Sequence, residues 1–241
     1  MTPSLAKSFV RSRTAVIAAL MVERGEADAL ICGLVGRYHK KLGYLRSVFD
    51  LDPGVQCTSA MTGVINDKGA WFFLDTHVQV DPSAEQIAEA TLQASYRLKL
   101  FGIEPKVALL SHSNYGSHDN PSAAKMRKVW QILKARYPKL EMDGEMQADT
   151  AWDDALRQRM FPHTTLSGRA NLFVLPNLDA ANITYNMVRV MTDGVAIGPI
   201  LMGLDMPAHI LTPAATVRRV VNMTAVAAVD AQIRLANRAP G

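Results

Sequence analysis

An α/β fold with a largely parallel sheet is predicted by three features of the 241-residue sequence. Short apolar runs of strand length alternate with longer segments of helical periodicity. The junctions carry capping and turn residues. No internal repeat or low-complexity linker interrupts the alternation.

The elements follow in order. Residues 6–24 read as a helix ended by Gly25, and ADALICG (27–33) as a short strand. A second helix is expected over 37–49, stopped by the turn signal Asp52-Pro53-Gly54. CTSAMTGVIN (57–66) and GAWFFLDT (69–76) flank Asp67-Lys68 and predict a hairpin. Asp81-Pro82-Ser83 opens a helix to about Phe101, closed by Gly102. KVALLSHS (106–113) is a buried strand entering a polar loop. Asn120 then caps a helix with Pro121 at its first position and Met126, Val129, Trp130 and Leu133 along one face. LEMDGEM (140–146) and NLFVLPN (171–177) are further strands, the second leading to a helix from about Asp179. VAIGPILMG (195–203) is the last strand-like run. In ILTPAATVRRVV (210–221), Thr212 is expected to cap the final helix with Pro213 at its first position, a start of the kind that holds anions.

Composition excludes several classes. With 49% hydrophobic and 20% charged residues the chain is an ordinary globular protein. The net charge is +4, the pI is about 9.1, and no block of five like charges occurs, so no nucleic acid partner is expected. The apolar run 14–22 is too short to span a bilayer and ends in Glu23-Arg24, and no secretory signal is visible; a cytoplasmic location without membrane attachment is expected. Cys32 and Cys57 lie beside apolar runs and read as reduced core thiols. The six histidines show no ligand spacing, so no metal site is expected. A nucleophile elbow, a P-loop and a dinucleotide fingerprint are all absent.

In a parallel α/β sheet, ligands bind where loops leave the carboxyl ends of strands. Three loops have suitable residues. SHSNYGSHDN (111–120) offers the hydroxyls of Ser111, Ser113 and Ser117, the amide of Asn114, and Gly116 for close backbone approach. That set suits a phosphate or a thioester carbonyl, or serves only as a polar loop with an Asn cap. DGEMQAD (143–149) carries Asp143 and Glu145, either as polar anchors in a cleft or as part of a turn with Asp149 as an N-cap. In PNLDAANITYN (176–186), Asn177 ends a strand and Asn182 falls one turn into a helix, where its amide bonds a ligand or braces a neighbouring loop.

Taken in order, RTAVIAALMVERGEADALICG, FLDTHVQVDPSAEQIAE, PKVALLSHSNYGS, DGEMQAD, ANLFVLPNLDAANITYN and IGPILMG resemble the phosphate acetyl/butyryl transferase family. More closely, they look like the phosphotransacetylase-like C-terminal module of bacterial NADP-dependent malic enzymes. The resemblance implies two α/β subdomains with a cleft between them, an architecture shared with isocitrate and isopropylmalate dehydrogenases. The first subdomain would comprise 1–47 and 193–241 and lack the family's N-terminal units; the second would be 48–192. The resemblance also implies CoA binding in the cleft, with Gly198, Pro199 and Thr212 joining the loop residues above, and assembly as a homodimer or higher homo-oligomer.

The same resemblance argues against acyl transfer. The family's stretch before the last helix reads Asn-Asp-Leu-Ser-Arg-Gly, with an aspartate seven residues after the serine. Here Thr212 stands at the serine, Pro213 at the arginine and Arg219 at the aspartate. Proline supplies neither cation nor N–H, and arginine cannot act as a carboxylate base. The lysine of the family's Ser-Thr-Lys-Gly-Ser loop is replaced in Asn114-Tyr115-Gly116-Ser117. No catalytic residue is therefore assigned. The expected role is a regulatory module that binds acetyl-CoA as an allosteric inhibitor and supports oligomerisation. The upstream malic enzyme domain, with its NADP and divalent metal, would lie outside this chain. The alternatives are an active phosphate acetyltransferase and a purely structural dimerisation module.

Overall fold

The computed structural model describes residues 2–238; Met1 and residues 239–241, which the expected first subdomain includes, lie outside them. The chain forms two compact units, Met1–Thr58 with Ile197–Gly241, and Ser59–Ala196. Residues 48–58, expected in the second subdomain, belong to the first. Leu51 bridges Leu204, the Asp52 N–H donates to the Gly203 carbonyl, and the Asp205 N–H donates to the Asp50 carbonyl. Residues 193–196, expected in the first, belong to the second. Ala196 joins its core, and Gly194 lies so close to Val64 that an added Cβ would sit 2.2 Å from Cγ1.

The unit Ser59–Ala196 is mixed α/β. Its hairpin joins β2 (Ser59–Asn66) to β3 (Gly69–Leu74), with Asn66 opposite Gly69. The two-residue turn is fixed by the Lys68 N–H donating to Asn66 Oδ1. From β3 the sheet continues in parallel through β6 (Leu172–Val174) and β4 (Val107–Leu110) to β5 (Met142–Met146). Alternation along the strands divides the core into two layers. Phe73, Ala108, Leu110 and Phe173 share one layer with Ala151, Ala181 and Tyr185. The layer-mates Ala151, Ala181 and Tyr185 come from α6 (Ala148–Trp152) and α8 (Leu178–Met191). Val107, Leu109, Leu172 and Val174 point the other way, towards α4 (Ala84–Leu100) and α5 (Pro121–Arg136).

Local capping starts these helices. Ser83 and Gln86 form a reciprocal capping box for α4, Asn120 accepts from the Ala123 N–H for α5, and Asn177 accepts from the Ala180 N–H for α8. Asp149 is not an N-cap. Gln147 holds that position, and Asp149 lies in the first turn of α6, accepting from the Thr150 N–H. A further helix, α7 (Asp154–Met160), follows at once and was not anticipated. It carries Arg157, fully buried, whose Nη1 donates to the Thr150 carbonyl and whose Nη2 donates to Asp154 and the carbonyls of Leu166 and Gly168, while its buried Nε meets no acceptor among the described residues.

In the other unit the expected first helix is two, α1 (Pro3–Ser12) and α2 (Thr14–Glu23), because Arg13 is extended and breaks the run. Parallel pairing joins β1 (Leu30–Cys32) to β8 (Ala208–Ile210), a three-residue strand not foreseen from the sequence. α3 (Tyr38–Leu45) and α9 (Val217–Arg238) pack on this pair, and α9 buries Met223, Ala227 and Ala231. Gly33 has φ +105° and lies against Leu211; an added Cβ would be 2.3 Å from the Leu211 carbonyl oxygen. β7 (Val195–Met202) carries the chain from the second unit back to the first. No helix among the described residues is long and apolar enough to cross a membrane.

Candidate functional site

The loop after β4 is held by a carboxylate from the next strand. Glu145, 1% exposed, directs Oε1 at three donors: the Ser113 hydroxyl at 2.7 Å, the Gly116 N–H at 2.9 Å and Arg127 Nη1 at 3.1 Å. The Tyr115 N–H donates to the Glu145 carbonyl. Tyr115 (φ +47°) and Gly116 (φ +87°) reverse the chain so that these N–H groups face β5. The Ser113 hydroxyl also accepts from the His118 N–H, and Ser117 Oγ accepts from the Asn114 N–H. Ser111 Oγ accepts from the Ser113 N–H.

The structure thus brings Ser111, Ser113, Asn114, Gly116, Ser117 and Glu145 together as a closed network. Most of the hydroxyl capacity that would meet a phosphate goes to the loop itself. Two side-chain donors are left over: the Ser111 hydroxyl, which meets no acceptor among the described residues, and the Asn114 amide. Asn114 Oδ1 accepts from the Gln147 N–H at 2.8 Å, while its amide nitrogen donates to nothing among the described residues. Arg127 supplies a cation beside the loop, but Asp119 Oδ1, 2.7 Å from Nη2, shares that charge with Glu145. Arg127 escaped the sequence reading; the available signal was its place on α5 next to the apolar position Met126.

Asp143 is an anchor of the fold. Its carboxylate accepts from the Thr164 hydroxyl (2.6 Å), the Thr165 N–H (2.8 Å), the Gly144 N–H (2.9 Å) and the Tyr115 hydroxyl (3.1 Å). Burial, with the Asp143 charge adding to it, pushes the Tyr115 phenol well above its usual range, so it acts as a donor. Asn177 is spent as the cap of α8. Asn182 braces a loop: its Nδ2 donates to the Thr76 carbonyl at 3.1 Å. That loop follows Asp75, a buried carboxylate that accepts from the N–H groups of His77, Val78 and Gln79. Burial outweighs these bonds and pushes Asp75 up to about 6.

In the unit Met1–Thr58 with Ile197–Gly241, Gly198 and Pro199 are buried in β7, and Thr212 is half-buried just past β8. Thr212 does not cap the last helix, and Pro213 is not its first residue. The Ala215 N–H donates to the Thr212 carbonyl and closes a turn. Thr216 then receives the Arg219 N–H on its hydroxyl and the Val220 N–H on its carbonyl, so α9 begins at Val217. Proline at 213 fits the turn, and Thr216 is the better cap because the helical apolar stripe starts one turn later. Beneath this loop lies a buried pair also missed by sequence: His209 Nδ1 accepts from the Leu201 N–H, which leaves Nε2–H to donate to Asp230 Oδ2 at 3.0 Å.

The phosphate acetyl/butaryl transferase model matches residues 1–228. An NAD-dependent malic enzyme of Rhizobium meliloti (strain 1021) is 51% identical over 228 residues, which are 95% of this chain and 30% of that protein. An NADP-dependent malic enzyme of Escherichia coli (strain K12) is 48% identical over 232 residues, 96% of this chain and 31% of that protein. The chain therefore spans about 30% of the length of these curated relatives. A phosphotransacetylase from Streptococcus pyogenes, known by crystal structure, is 28% identical with a TM-score of 0.85, covering 91% of this chain and 67% of that one.

Proposed function

The chain belongs to the phosphate acetyl/butaryl transferase family, and we propose that it serves as a non-catalytic regulatory module of a malic enzyme, binding acetyl-CoA as an inhibitor and supporting oligomerisation. The observation that carries this reading is the turn Thr212–Ala215. The family resemblance implies a cation after the position of Thr212; here Pro213 stands there, exposed, in a turn closed by backbone alone. Loss of a single oxyanion contact costs about a hundredfold or more in rate. The loop lysine is also replaced, and the Arg127 charge is already shared by two carboxylates, so acyl transfer lacks two of the cations that the family resemblance implies.

Binding is a different matter. The Asn114 amide is available to a thioester or phosphate oxygen, and the loop that presents it is held in shape by Glu145. The oxidative decarboxylation of malate, with NADP and a divalent metal, would belong to a catalytic domain elsewhere in a longer protein. Acetyl-CoA inhibits from here if it binds two states of that protein unequally.

Two measurements on the 241-residue chain test the reading. Calorimetry should show saturable acetyl-CoA binding. Thioester formation from acetyl phosphate and CoA should stay at the uncatalysed rate. Turnover, or no acetyl-CoA binding at millimolar concentration, overturns it.

A further inference from the structure

A cavity of about 550 Å³ opens within the unit Ser59–Ala196, beside α5, the end of β5 and the segment after α7. That volume lies in the range of small-molecule sites. Its apolar wall comprises Tyr115, Trp130, Met160, Phe161 and Pro162, with the Tyr115 and Phe161 rings 4.6 Å apart. Met160 is 58% exposed, although it is a large apolar side chain at a cavity mouth.

Glu145 also lines this cavity. Its Oε1 takes all three of its side-chain hydrogen bonds; among the described residues Oε2 takes none. A nearly buried carboxylate oxygen with open capacity, set among aromatic rings, favours a ligand that brings a donor. It disfavours an anion, since the nearby Arg127 charge is already matched by Glu145 and Asp119.

We propose that this cavity binds a planar heteroaromatic group carrying an amino donor, of the size and chemistry of a purine nucleoside. The amino group donates to Glu145 Oε2, and the ring lies against Phe161 and Trp130. This goes beyond the regulatory reading above and does not depend on it. Free nucleoside and the adenosine end of acetyl-CoA share the required chemistry.

Adenosine is the probe, titrated calorimetrically into the 241-residue chain. Saturable binding is expected. Inosine, with a carbonyl in place of the amino group, should bind about tenfold or more weakly, because it sets an acceptor against the carboxylate. Phe161→Ala should weaken adenosine by about tenfold while circular dichroism and the melting transition report an intact fold. Displacement of adenosine by acetyl-CoA supports the proposal with the effector as source; simultaneous binding of both supports it with free nucleoside as source. No saturable adenosine binding at millimolar concentration overturns it, as does equal affinity for adenosine and inosine or indifference to Phe161→Ala. Acetyl-CoA binding that persists in those cases leaves the regulatory reading standing.

Discussion

The loops at 111–118 and 212–216 each follow a strand, and each was expected to meet the ligand. They are built differently. In the first, side chains do the holding: Glu145, Ser113 and Ser117 tie the backbone to itself and to β5. In the second, one backbone hydrogen bond and a proline make the turn, and Pro213, Ala214 and Ala215 bring no polar side chain. Polar residues are present where the loop's own shape needs them.

The largest expected effect breaks the first loop. Glu145→Ala removes three hydrogen bonds and leaves Arg127 with one acidic partner, and should cost roughly 3 kcal/mol in denaturant unfolding. A loss under about 1 kcal/mol would mean that Glu145 does not shape the loop, and the contrast between the two loops would collapse. Next comes Asp75, in the same unit. Its folded value of about 6 lies above the ordinary aspartate value of about 3.9, so folding takes up a proton. That stabilising contribution is complete below about pH 4 and is lost as pH rises through about 6. Asp75→Asn should therefore gain stability relative to the parent by roughly 2 kcal/mol between those limits, seen as converging or crossing melting curves against pH. A constant difference across that window would show that Asp75 titrates normally.

Asn114→Asp sharpens the comparison further. It keeps the acceptor for the Gln147 N–H and removes the amide donor. Acetyl-CoA affinity should fall about tenfold with little change in stability; unchanged affinity would place the thioester elsewhere. The smallest effect is expected at the second loop. Pro213→Arg with Arg219→Asp restores the family's residue types there, yet thioester formation should remain at the uncatalysed rate because the first loop still lacks its lysine. Measurable turnover in this double variant would show that one stretch was the whole block.

What the sequence revealed follows from the range of the interactions. The helix starts at Ser83 and Asn120 were legible because an N-cap bonds residues two or three positions away, whereas Asn177 was read as a strand end and its capping of α8 was not. The hairpin at Asp67-Lys68 was legible for the same reason. β8 was missed because three residues carry no periodicity of their own and pair with β1 from far along the chain. The split at Arg13 was missed because nothing in TAVIAALMV marks a helix start. Thr212 was expected as the cap on the strength of Pro213, a proline that a turn uses as well as a helix does. At the site, the polar residues were recognised by type, but their partners were not. Glu145 meets Arg127 and Ser113 across 18 and 32 positions, and no local pattern announces such contacts.

Glu145 has one more implication, for how such modules diverge. A loop whose shape is stored in a carboxylate on the neighbouring strand keeps that shape whether or not its reactive side chains survive. Selection on geometry and selection on turnover then act on separate atoms. A reactive side chain in such a loop can be substituted while the backbone that positions it stays folded.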